Sequence, residues 1–104
     1  MPIEQWNPHR DGALNEAGMS RKLELRGYRC ATYVYPPGTQ FPDHTHDEDK
    51  FDAVLSGQFR ITLEGIAHDL HAGDCLHVPR GKIHNAAVIG SMPVVSIDAI
   101  GSST

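Results

Sequence analysis

Little in this chain points toward a membrane, a nucleic acid or a disulfide scaffold. Its uninterrupted apolar stretches fall far short of the ~18 residues a membrane span requires, so no transmembrane segment is expected. There is no basic field. The formal net charge is -4, and no Lys/Arg cluster exceeds "SRK" at residues 20–22, which argues against nucleic acid as a partner. Cysteine is scarce: Cys30 and Cys75 stand 45 residues apart without CxxC spacing, so neither a redox motif nor a zinc pair is visible, and both read as free thiols of the interior. The first residues, "MPIEQWNPHRDG", show no basic segment leading into an apolar core, so no secretory signal is read and a cytoplasmic location is expected. No internal repeat is present.

What is present fits a single domain, because 104 residues support one core. The run "DGALNEAGMSRKLELR", residues 11–26, carries good helix formers with apolar positions at Leu14, Ala17, Leu23 and Leu25, and Gly27 supplies a stop. One short N-terminal helix is therefore predicted. The remainder reads as strands: "YRCATYVY" at residues 28–35, then 51–55, 58–63, 75–78, 84–88 and 94–100, with glycines at 57, 65, 73, 81 and 90 at most of the breaks. Short strands at regular spacing predict an all-β antiparallel sandwich or barrel. "VLSGQFRI" has only Ser56-Gly57 between its apolar flanks and reads as a tight hairpin. The division expected is an N-terminal segment with its helix over residues 1–27, the barrel over 28–100 and a frayed tail over 101–104.

Chemistry concentrates in "FPDHTHDEDKFDAV", residues 41–54. On a strand, residues i and i+2 share a face about 6.6 Å apart, so His44 and His46 could offer two imidazole nitrogens to one metal. Alone, an HxH is weak evidence. Its surroundings add to it: Gly38 lies six residues before His44, Gly57 eleven after His46, and a second block, "GDCLHVPRGKIH" at residues 73–84, ends in another histidine.

Together these blocks resemble the cupin superfamily. Its first motif runs Gly, five residues, His-x-His, three or four residues, Glu, six residues, Gly; its second runs Gly, five residues, Pro-x-Gly, two residues, His, three residues, Asn. Gly38, His44, His46 and Gly57 fit the first, and Gly73, Pro79, Gly81 and His84 the second. The resemblance implies a jelly-roll β-barrel holding one divalent metal ion, with His44, His46 and His84 in the ligand positions. Iron, manganese, nickel, cobalt and zinc all accept such ligands.

Two positions depart from the pattern: Val88 replaces the motif's Asn, and Lys50 stands where the family has its ligating Glu. A protonated lysine has no lone pair and cannot ligate. Three arrangements stay open for the missing carboxylate. Asp52, one pleat along the same face, could reach the metal or hold a ligating water; three histidines could leave positions to water; or local slippage could deliver Glu48 or Asp49. Otherwise Asp47, Glu48 and Asp49 read as a solvated turn. Lys50 is expected to snorkel outward at the barrel mouth. The competing reading, an inward Lys50 beside a cation, carries a lowered pKa.

His68, His71 and His9 are expected at the surface, and His77 packed or at an interface. Tyr33, Tyr35, Phe41, Arg60 and Asp98 are candidates, with Lys50 and Asp52, to line the cavity. Phe51, Ala53 and Leu55 share the face opposite Lys50 and Asp52 and need a cover, either a second copy in a homodimer or the N-terminal helix. The function expected is binding of a metal and a small organic ligand, with dioxygenase-like or isomerase-like turnover; the alternative is a non-catalytic binding or sensing module.

Overall fold

The computed structural model describes residues 2–101 as nine strands and two short helices. In chain order they are β1 (Ile3–Gln5), α1 (Pro8–Asp11), α2 (Glu16–Glu24), β2 (Arg29–Tyr35), β3 (Gln40–His44), β4 (Lys50–Ser56), β5 (Gln58–Leu63), β6 (Ile66–Leu70), β7 (Asp74–Val78), β8 (His84–Ile89) and β9 (Val94–Ile100). Two antiparallel sheets form, one ordered β1-β7-β4-β9-β2 and the other β3-β8-β5-β6. The all-β class and the jelly-roll arrangement agree with the sequence.

The inter-sheet core is built by alternation. Val54 of β4, Ile61 of β5, Leu70 of β6, Leu76 of β7 and Val94 of β9 are fully buried between the sheets. This core runs up to Phe59 and Ala86, and those two residues also line an open cavity at its far side.

The helical prediction is corrected in detail. Helix does not run from Asp11, because Gly12 (φ 81) breaks the chain after α1, and Asn15 starts α2 by accepting a hydrogen bond from the Gly18 amide at 2.8 Å. Gly27 does end it, at φ 94, with its own amide on Glu24 O and the Tyr28 amide on Leu23 O. Leu25 lies beyond the helix and is 80% exposed, so it is not part of the packed face. Met19 and Leu23 are, and full burial of each contributes about 1.5–3 kcal/mol. They cover Ala53, Cys75, Ile97 and Ala99, with Phe51 and Leu55 packed alongside. The N-terminal helix is thus the cover for the outer face of β4.

Three strands lack a clear sequence signal. β1 is only three residues long, and β3 contains Pro42, which an edge strand tolerates. β6 follows a two-residue turn, Glu64-Gly65, with φ of 50 and 82, the left-handed pair of a tight hairpin. The expected hairpin at Ser56-Gly57 is not one: β4 and β5 belong to different sheets, so the chain turns a corner there. Gly57 (φ 85) is required at that corner, because a Cβ would strike the Pro93 carbonyl oxygen and come within 2.9 Å of Val94 Cα.

The N-terminal segment is joined to the barrel. β1 pairs with β7, and Arg26, two residues past α2, grips Glu4 with two hydrogen bonds of 2.9 and 2.6 Å. Gly101, placed in the tail by the sequence, is buried and donates its amide to Asp49 O at 2.7 Å; residues 102–104 lie outside the described residues. Cys30 and Cys75 are free, half-buried and buried respectively. No helix among the described residues is long and apolar enough to cross a membrane.

Candidate metal centre

β3 and β8 pair so that His44 stands directly opposite His84. His46 follows two residues later. It lies past the end of β3, so strand alternation is not what aims it; the loop is held by the Gly81 amide on His46 O at 2.9 Å. Ring centroids are 4.1 Å apart for His44 and His84, 4.8 Å for His44 and His46, and 5.1 Å for His46 and His84. The three ligand-capable nitrogens all lie within 4.8 Å of one another.

The hydrogen bonds of these rings are as informative as their spacing. His44 Nδ1 is 2.6 Å from Pro42 O and His84 Nδ1 is 3.0 Å from Lys82 O. A carbonyl only accepts, so each Nδ1 carries the proton and each Nε2 is left with a lone pair. His46 Nε2 is buried with no hydrogen-bond partner. Such a buried orphan calls for a ligand, and the donor set fits a transition-metal ion. Burial, and then the charge of Lys50 and the neighbouring rings, pushes the His46 pKa down; burial also lowers that of His84, against the raising effect of the Lys82 carbonyl. Both therefore favour the neutral imidazole that ligation needs.

The facing wall comes from the other sheet. Lys50 points inward and is 8% exposed, which overturns the expected snorkelling. Its Nζ lies 2.6 Å from Asp98 Oδ1 and 3.7 Å from Asp52 Oδ1. The short contact is off the line of a hydrogen bond, so charge holds it. Its pKa is raised: burial pulls it down, and the two carboxylates more than offset that. Asp52 and Asp98 are opposed across β4 and β9. Two like charges there repel, and burial foremost, opposed by Lys50 and reinforced by Asp98, pushes Asp52 up to about 7.

Between these walls lies a cavity of about 200 Å³, with Tyr35, Phe41 and Phe59 as its aromatic side. Burial, with Asp98 and Asp52 nearby, pushes the Tyr35 phenol up to about 12, so it stays a neutral donor. Phe41, Asp52, Lys50, Tyr35 and Asp98 all line this space. Tyr33 and Arg60 do not. Tyr33 is 46% exposed, stacked on Tyr35 from outside, and Arg60 points to the surface, paired with Asp69 at 2.7 Å. Tyr33 lies on the same face as Tyr35, two residues along and beyond the cavity, and Arg60 alternates outward between the buried Phe59 and Ile61. Phe59 was missed, although its alternation with Ile61 after the Gly57 corner is a usable signal.

Among the described residues no carboxylate joins the three histidines. Asp52 shares their cavity and answers Lys50. Glu48 lies 3.6 Å from Arg29, and Asp49 Oδ1 accepts from the Arg80 amide at 2.8 Å, so slippage delivers neither. His71 and His9 are exposed, and His68 is half-buried. His77 is exposed in the single chain, with its ring 4.9 Å from that of Phe51.

With this geometry in place, comparisons agree on the architecture. The model of the family described as "Cupin domain" matches residues 31–100. Germin-like protein 9-3 of Oryza sativa subsp. japonica is 31% identical over 104 residues, covering 92% of this chain and 49% of its own length. The chain thus spans about half of that curated relative. Among solved structures, a variant of salicylate 1,2-dioxygenase from Pseudoaminobacter salicylatoxidans superposes with a TM-score of 0.67 at 21% identity, over 71% of this chain and 22% of that one. KdgF from Halomonas sp. gives 0.64 at 22% identity, over 73% and 70%. At such identities the structural matches show the fold alone.

Proposed function

The chain belongs to the cupin domain family, and on that premise we propose that His44, His46 and His84 hold one divalent transition-metal ion beside a cavity that takes a small organic ligand. The observation that carries this reading is the orphaned His46 Nε2, set among two imidazoles whose Nδ1 protons are already committed to carbonyls. When bound, the metal supplies Lewis acidity toward an oxygen-bearing ligand. The chain's own residues do the rest. Pro42 O and Lys82 O fix the ring orientations, Phe41 and Phe59 pack the apolar part of the ligand and exclude water, and the Tyr35 hydroxyl is a hydrogen-bond donor. Asp52, raised toward neutrality inside the same cavity, is suited to hold or release a proton.

That acid–base group favours turnover of the dioxygenase-like or isomerase-like kind. A second reading, a non-catalytic binding or sensing module, is favoured by Lys50, which takes the family's fourth-ligand position and offers the metal no donor. Elemental analysis of the purified protein, followed by titration with Fe, Mn, Ni, Co and Zn, tests the common premise: one equivalent bound is expected, and no measurable affinity for any of them overturns it. Oxygen uptake or product formation with small organic acids and carbonyl compounds then separates the two, since tight binding without conversion leaves the sensing module.

A further inference from the structure

Two charged groups on the polar wall of the cavity sit close together without a hydrogen bond between them. Lys50 Nζ lies 2.6 Å from Asp98 Oδ1, yet that buried oxygen has no hydrogen-bond partner. Asp52 Oδ1 is 3.7 Å from the same ammonium, too long for a hydrogen bond. A group with three N–H donors and an acceptor with free lone pairs therefore stand side by side, both lining the space that His44, His46 and His84 border.

A buried acceptor left in this state marks a place for a guest's hydrogen. The chemistry of the pair narrows which guest. An ammonium entering there meets the ammonium of Lys50, and a carboxylate meets Asp52 and Asp98, two carboxyl groups that already answer one cation. A methyl group leaves donor and acceptor both unmet. Of these four end groups only a hydroxyl donates to Asp98 and accepts from Lys50 at once.

The opposite end is set by the histidines. Ligating imidazoles are neutral, and Lys50 stands where the resemblance expects a glutamate's charge, so a metal held by His44, His46 and His84 keeps its full positive charge. An anionic oxygen is what that end attracts. Between the ends, the rings of Tyr35, Phe41 and Phe59 contact one another at centroid distances of 5.0, 5.6 and 6.3 Å and offer carbon an apolar side. The cavity of about 200 Å³ is smaller than the ~300–1,000 Å³ of drug-sized sites, so the body it takes is a few carbons long.

We propose that the ligand is a short hydroxylated monocarboxylic acid, with its carboxylate toward the three histidines and its hydroxyl bridging Lys50 Nζ and Asp98 Oδ1. Asp98 is then the residue that sets specificity, from a position outside the histidine cluster. This inference rests on the metal reading above.

Calorimetric titration of the zinc-loaded protein tests it. The probes are propanoate, butanoate and pentanoate hydroxylated at the chain end, each compared with the acids that carry methyl, ammonium or a second carboxylate in the hydroxyl's place. At the chain length that spans the cavity, the hydroxy acid is expected to bind at least about tenfold tighter than all three analogues, as for a hydrogen bond to a charged group. Asp98→Ala leaves Lys50 with Asp52 as a one-to-one pair, so the fold stands, and the hydroxy acid should fall to the affinity of its methyl analogue, itself unchanged. Wild-type protein with no preference for the hydroxyl at any length overturns the inference, and so does a preference that survives Asp98→Ala. The premise fails differently. Acids that bind the zinc-loaded protein with all end groups alike remove only the hydroxyl's place and leave the metal site standing, whereas protein that takes up no metal overturns both.

Discussion

The two walls of the cavity handle polarity in opposite ways. On the histidine wall three imidazoles cluster with their lone pairs unspent, and burial favours the neutral forms of His46 and His84. On the β4–β9 wall Lys50 and Asp52 are buried and Asp98 half-buried, and their charges answer one another. The first wall leaves lone pairs free for a guest, whereas on the second the charges face one another, although Asp98 Oδ1 there has no hydrogen-bond partner. At the position where the resemblance expects a ligating glutamate, Lys50 faces carboxylates instead of supplying a donor to the histidine cluster. The difference separates two kinds of consequence: loss of a side chain on the first wall acts on metal affinity, and loss of one on the second acts on stability.

The largest effect expected is on the histidine wall. His84→Ala removes a ligand and should lower metal affinity by more than the ~100-fold typical of losing a supporting partner, whereas His71→Ala, an exposed control, should leave it unchanged. Calorimetric titration of both variants checks this, and equal effects would remove the assignment. Next comes Lys50→Ala, which leaves Asp52 and Asp98 facing each other in a buried site; a loss of about 3 kcal/mol in urea unfolding is expected, as for a buried pair broken from one side. Lys50→Glu sharpens the comparison by restoring the family's donor. It should tighten metal binding by about tenfold while destabilising the metal-free protein, an opposite movement of two readouts in one variant.

The smallest effect is a slope. Asp52 has a raised folded pKa, so the stability it contributes is whole below its ordinary value of 3.8 and is lost as pH rises through about 7. Glu4 has the reverse sign: Arg26, ahead of the opposing effect of burial, holds it down to about 2, and its contribution is present above 4.5 and lost below. The two windows meet only between 3.8 and 4.5, so above 4.5 the slope belongs to Asp52 rather than to Glu4. In metal-free Asp52→Asn the decline between about 4 and 7 should vanish while the acid limb stays, as followed by urea midpoints across that range. An unchanged decline would show that the β4–β9 wall does not hold a proton.

Much of the first wall was legible in the chain because its residues are fixed by short-range spacing. Gly38, His44, His46 and Gly57, then Gly73, Pro79, Gly81 and His84, carry turn and ligand positions within two short stretches, and the fold brings those stretches together. That a cover was needed was also legible, since Phe51, Ala53 and Leu55 alternate with Lys50 and Asp52, but the sequence left a second copy and the helix as alternatives and the fold chose the helix. The second wall was not. That Asp98 meets Lys50 depends on the register of β4 against β9, forty-odd residues apart, with a slip between Val54 and Ser56. Arg60 was misplaced for a local reason, since alternation between Phe59 and Ile61 already turns it outward. Ser56-Gly57 read as a hairpin because turn chemistry is local, and whether a turn joins neighbours or switches sheets is not.

The sequence by itself determined the all-β class, the cupin motif pair and the three imidazoles, because side-chain alternation and glycine-bounded turns act over a few residues. Only the tertiary structure decided that Lys50 turns inward and that Asp52 serves it rather than the histidine cluster. Those outcomes depend on which strands become neighbours and in what register, and a buried charge takes its partner from whatever the neighbouring strand places opposite it.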